Sequence, residues 1–179
     1  MKPIAFTCAC CGQRVTALPD LAYDAPLHYS GLSEAERAAR ASLDADFCVI
    51  DGEDRFIRAV CLVPIVDTDE HFAWGVWVSL SPENFQRYAD SFQDDDQSKL
   101  GQMFGWFCNR LPNYPETLSL QATVVPQDNR QRPLVWINEA HADHPLYIEQ
   151  RRGITPERLG EIYAREVCEN YKRETDGNE

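Results

Sequence analysis

The chain has 179 residues, of which 44% are hydrophobic and 11% aromatic, and a formal net charge of −12. Those figures fit one domain of ordinary size with a buried core, and they exclude wholesale disorder. An acidic surface repels nucleic-acid phosphate and anionic lipid, and no apolar run approaches the roughly 20 residues needed to cross a bilayer. Met1-Lys2-Pro3-Ile4 carries no apolar signal core, so a cytoplasmic protein without nucleic-acid or membrane partners is expected.

Taken in chain order, Phe6 to Cys11 and Arg14 to Leu18 read as two short strands around a cysteine turn. Pro19 to Ser30 reads as loop. Ser33-Glu34-Ala35-Glu36 is a capping box, which predicts a short helix over Glu34 to Ala41. Phe47 to Ile50 and Arg55 to Val66 are strands joined by the turn Asp51-Gly52-Glu53-Asp54, with Pro64 marking a bulge or a sheet edge. His71 to Leu80 alternates, so Trp74 and Trp77 fall on opposite faces of one strand. Ser81-Pro82-Glu83 caps an amphipathic helix through Phe85, Tyr88, Ala89 and Phe92. Met103 to Cys108, Thr117 to Val125 and Pro133 to Asn138 are further strands. Pro145 to Arg152 is a short helix stopped by Gly153, and Thr155-Pro156-Glu157 caps a last helix with Leu159, Ile162, Tyr163 and Val167 on its apolar stripe. Arg173 to Glu179 reads as a polar tail.

Strands and helices occur without βαβ alternation. The expected class is α+β: a mostly antiparallel sheet of about five to six strands, packed with two to three helices. Residues 1–20 form a knuckle-like cysteine element, and residues 21–179 a single α+β domain.

Seven cysteines, at positions 8, 10, 11, 48, 61, 108 and 168, follow no secretion signal, so reduced thiols are expected. Cys48, Cys61, Cys108 and Cys168 read as small buried hydrophobes. Cys8 and Cys11 lie in Cys8-Ala9-Cys10-Cys11-Gly12, a turn that lets two thiolates face one tetrahedral ion. The nearest spacing match is His141 and His144, which makes Cys8, Cys11, His141 and His144 the leading zinc ligands, with Cys10, His28 and Cys48 as other candidates. A knuckle turn without metal and a redox pair remain open alternatives.

Several segments resemble one bacterial family. They are Phe6 to Gly12, Leu18-Pro19, Asp46 to Ile50, Phe56-Ile57-Arg58, Trp74 to Ser81, Gly105-Trp106, Leu111 to Thr117, Arg132-Pro133 and His144-Pro145-Leu146. Together they identify the chain as similar to the domain of unknown function 2199. The resemblance implies a small cytoplasmic bacterial protein and carries no activity with it.

No G-x-S-x-G, phosphate-cradling loop, dinucleotide fingerprint or H-E-x-x-H occurs, and no catalytic residue is read from the sequence. The acidic loops instead suggest a binding face: Asp44, Asp46, Asp51 and Glu53, then Asp67, Asp69 and Glu70, then Asp94, Asp95 and Asp96. With Trp77 as an uncovered ring, such a face would steer a basic protein partner. The leading expectation is a non-enzymatic immunity protein that neutralises a basic bacterial toxin domain. The alternative is a zinc-binding protein, or a metal-dependent enzyme, using the C-x-x-C and H-x-x-H pairs.

Overall fold

The computed structural model describes residues 4–19 and 21–168. An N-terminal hairpin pairs β1 (Phe6–Thr7) with β2 (Arg14–Val15). Then come β3 (Leu21–Ala22), α1 (Leu27–Ser30), α2 (Glu34–Arg40), β4 (Ala41–Leu43), β5 (Phe47–Ile50), β6 (Asp54–Pro64) and β7 (His71–Leu80). The chain continues through α3 (Pro82–Asp90), β8 (Met103–Phe107), β9 (Gln121–Val125), β10 (Leu134–Ile137), α4 (Pro145–Arg152) and α5 (Pro156–Tyr163). A π turn, Ala164–Cys168, extends α5.

The architecture is α+β, as expected, but among the described residues the main sheet has eight strands rather than five or six, and there are five α-helices rather than two or three. The extra strands β3 and β4 are two and three residues long, too short to show an alternation. β3 and α1 fall inside the stretch read as loop. The strand expected from Thr117 starts only at Gln121, because the Thr117 hydroxyl is spent on a turn, accepting from Leu111 N–H and donating to the Asn109 carbonyl. The polar tail at 173–179 lies outside the described residues.

Five strands close on themselves. β6 pairs with β7, β7 with β8, β8 with β9 and β9 with β10, all antiparallel, and β10 returns to β6 through a parallel pairing at Leu134 and Val60. Alternation sends Ala59, Cys61, Val63, Trp74, Val76, Val78, Phe107, Ala122, Val124 and Val135 into one core, each at 0% exposure. Removal of that much apolar surface from water is the main stabilising force.

Where β10 and β6 diverge, the buried Gln150 of α4 spans them. Its Oε1 accepts from Ile137 N–H at 2.8 Å, and its Nε2 donates to Val135 O at 2.9 Å and Leu62 O at 3.3 Å. A side-chain amide is the one group that offers a donor and an acceptor with peptide geometry, so it stands in for the missing ladder bonds.

The opposite face of β6 and β7 is also covered. Phe56, Trp77, Cys48, Ile50 and Cys108 form a second cluster beneath Tyr23, Tyr29, Leu32 and Leu43. Helix signals acted where the sequence placed them. Ser33 and Glu36 complete the capping box of α2, and Ser81 caps α3 ahead of Pro82. His144 and Thr155 cap α4 and α5, each followed by proline. Among the described residues no helix is long and apolar enough to cross a membrane.

Candidate metal centre

The cysteine turn is a tight loop between β1 and β2. Gly12 N–H donates to Cys8 O and Cys8 N–H to Gln13 O, both at 2.9 Å, and Gly12 has φ +72°, a conformation that suits a residue without Cβ. The loop docks on α5. Phe6 packs edge-on against Tyr163 with ring centroids 5.5 Å apart, and Ala9 N–H donates to Gly160 O at 3.2 Å. Approach this close needs glycine: a Cβ at position 160 would lie 2.0 Å from Thr7 O.

Docking brings the knuckle against the π turn at the far end of the chain. The sulfurs of Cys8, Cys11 and Cys168 all lie within 4.8 Å of one another, so this group could hold a metal ion. Cys8 is buried, Cys168 half-buried and Cys11 exposed. The Cys11 thiol titrates below its ordinary value, chiefly because the Gln13 backbone bonds to it, with Cys8 next. Cys168 is held above its ordinary value by its hydrogen bond to Cys10, then by burial, then by Cys11 and Cys8. Crowded thiols cannot all ionise alone, and a dication removes that conflict. The same π turn carries Glu166, which accepts from Tyr23 Oη and Asn113 Nδ2 at 3.4 Å each and is raised by burial.

Of the four expected ligands, the structure brings together only Cys8 and Cys11. His141 Nε2 accepts from Gln121 N–H at 3.0 Å, and His144 Nδ1 accepts from Leu146 N–H at 3.1 Å as the cap of α4. Both rings hold backbone in place, and neither joins the thiols. Cys168, expected to be a buried hydrophobe, takes their place. Cys48, Cys61 and Cys108 do behave as buried hydrophobes: desolvation pushes Cys48 up to about 11 and the other two up to about 12, which leaves them inert as thiols. Alternation had already assigned those three to strands, and subtracting them from seven leaves the four cysteines of this corner. That was the readable signal for Cys168.

The acidic residues do not form the expected single face. Asp51 pairs bidentately with Arg40, and Asp44 accepts from the backbone of Asp46 and Phe47. Asp46 pairs with Arg132 at 2.7 Å, Asp95 with Arg130 at 3.0 Å, and Asp94 and Asp96 with Lys99. Two of the acidic loops therefore converge on Arg130 and Arg132, a basic turn of this same chain. The Asp51–Glu53 turn enters β6 and the Asp67–Glu70 turn leaves it, so an eleven-residue strand separates them by roughly 30 Å. Trp77, expected as a contact ring, is 0% exposed, with its indole N–H donating to Tyr23 O at 2.9 Å. Among the described residues the large exposed apolar ones are instead Phe104 at 47% and Trp106 at 42%, neighbours on β8 with ring centroids 5.2 Å apart.

A family model described as an uncharacterized protein conserved in bacteria (DUF2199) matches residues 7–154, and the chain belongs to that family. The match takes in the three knuckle cysteines and stops before Cys168. No curated protein and no solved structure matches the chain.

Proposed function

We propose that this bacterial protein is a zinc-binding protein whose ion is held by Cys8, Cys11 and Cys168. One observation carries the reading: thiols from the two ends of the described chain converge within 4.8 Å of one another. Thiolates select a soft or borderline cation, and zinc is the common tetrahedral one. Elemental analysis of protein prepared without chelator tests the reading, with about one zinc per chain expected. Metal-free protein, together with a Cys168→Ser variant of unchanged melting temperature, would overturn it.

A second reading, partner binding by an acidic inhibitor of a basic toxin domain, is favoured by the exposed Phe104 and Trp106 pair. Exposed aromatic rings are frequent anchors at protein interfaces. Its docking centre would be β8, away from Trp77. Affinity for a co-purifying basic protein, measured against salt with Trp106→Ala alongside, tests it. A partner bound equally by the variant and indifferent to salt counts against it.

A further inference from the structure

A second concave site lies away from the thiols, on the outer face of the sheet. Three strands in register build it. Phe56 on β6 pairs with Ser79 on β7, and Ser79 pairs with Trp106 on β8. Neighbouring strands lie about 4.8 Å apart, so two aromatic residues stand about 10 Å apart at the backbone with a small serine between them. The serine leaves a notch where a third large side chain would close the row. Helix α1 builds up one wall. Leu27 N–H donates to Cys108 O at 2.9 Å, and the His28 ring lies against Phe56 with centroids 5.1 Å apart. Asp54 precedes Phe56 by two residues, which puts it on the same face of β6. With Ser119, these side chains line a cavity of about 330 Å³.

We infer that this notch binds a small flat aromatic cation whose N–H donors face Asp54, a ligand of the amidinium or guanidinium type. Such a ligand needs neither the zinc ion nor a protein partner, so the site stands apart from both readings above.

The lining selects that chemistry. Among the described residues the Asp54 carboxylate has no hydrogen-bond or ion-pair partner, whereas Asp46, Asp51 and Asp95 are each matched by an arginine of this chain. An unmatched carboxylate favours a cation, and its two oxygens accept a forked pair of N–H groups. Trp106 is exposed, and a free indole face attracts both a cation and a flat ring. The Cys108 thiol, pushed up to about 12 by burial, lines the same cavity uncharged, which leaves Asp54 as the negative charge of the lining. Ser119 holds φ +64°, a conformation uncommon for a residue with a Cβ, and its N–H donates to Phe107 O at 2.7 Å. Strain of that kind concentrates where ligands are clamped. The volume sits at the low end for ligand sites, which limits the occupant to roughly one or two rings.

Benzamidinium is the probe, with benzamide and benzoate as neutral and anionic isosteres of the same shape. Binding to the full chain is read from the indole N–H signals by NMR, with Trp106→Phe assigning the Trp106 resonance. Benzamidinium should shift that signal and saturate at about a millimolar or below. Benzamide should bind at least about tenfold more weakly, and benzoate should not bind. Asp54→Asn should weaken benzamidinium about tenfold and leave the melting temperature unchanged, and Trp106→Ala should weaken it about threefold. The isostere series on the unmutated chain stands whether or not a variant folds. If the three isosteres bind alike, if Asp54→Asn keeps full affinity, or if benzamidinium leaves the Trp106 signal in place, the cation site is overturned. Arginine with both backbone ends blocked separates two sources of the same chemistry. Weaker binding than benzamidinium supports a free small molecule, and tighter binding overturns that assignment in favour of a protein side chain.

Discussion

Two regions of this molecule tie together segments distant in sequence, and they do so by different chemistry. Gln150 joins α4 to β10 and β6 with an amide whose donor and acceptor are both spent on backbone partners. The Cys8, Cys11 and Cys168 corner joins the knuckle to the π turn with thiols, which are weak hydrogen-bonding groups. The first joint is complete as the protein folds. The second, on the zinc reading proposed above, would gain its full strength only with an ion. One region then supplies stability unconditionally, and the other would make stability depend on metal and on thiol oxidation state.

The sharpest way to break the comparison is Gln150→Leu. It strands Ile137 N–H and the Val135 carbonyl in the core, and a loss of about 3 kcal/mol is expected in urea unfolding, with or without chelator. Next comes metal removal. If zinc is present at about a hundred times its dissociation constant, stripping it costs about 2.7 kcal/mol, and Cys8→Ser should abolish that chelator effect. Calorimetry of both proteins with and without a chelator reads it.

Gly160→Ala sharpens the contrast further. Alanine gains about 1 kcal/mol of helix propensity, but its Cβ would meet Thr7 O at 2.0 Å, and backbone on both sides cannot yield cheaply. A net loss of about 1–2 kcal/mol is expected, concentrated at the knuckle. Zinc binding should weaken while the near-ultraviolet signal of the buried Trp74 and Trp77 persists.

A smaller effect tests the histidine correction. Burial lowers the His144 pKa below its ordinary 6.5, opposed by the Pro115 and Glu116 backbone. The unfolded chain then takes up the proton first. The contribution of His144 is fully present above the unfolded value and is lost as pH falls through it toward the folded value. Urea midpoints between about pH 8 and about pH 5 should fall more for the native chain than for His144→Asn, which caps without titrating. Smallest of all, Trp106→Ala should move stability by no more than about 1 kcal/mol, since that ring is 42% exposed and outside the buried core.

Much of the fold was legible because local rules determine it. One capping box and the N1 prolines placed the starts of α2, α3, α4 and α5, and alternation placed β5, β6, β7 and β8. What stayed illegible was non-local. A sequence cannot show that β10 comes back beside β6, that Arg130 and Arg132 absorb Asp95 and Asp46, or that short elements cover Trp77. The candidate metal-site residues divided in the same way. Cys8 and Cys11 were legible from a four-residue spacing, while His141 and His144 matched it only formally and serve backbone instead.

The sequence by itself determined the strand and helix periods, the caps and the knuckle turn, since each depends on residues within a few positions of one another. Only the tertiary structure decided that Cys168 meets the knuckle. That encounter depends on a π turn redirecting one side chain and on Gly160 admitting β1 to the surface of α5, and neither has a local signature that reaches across the chain.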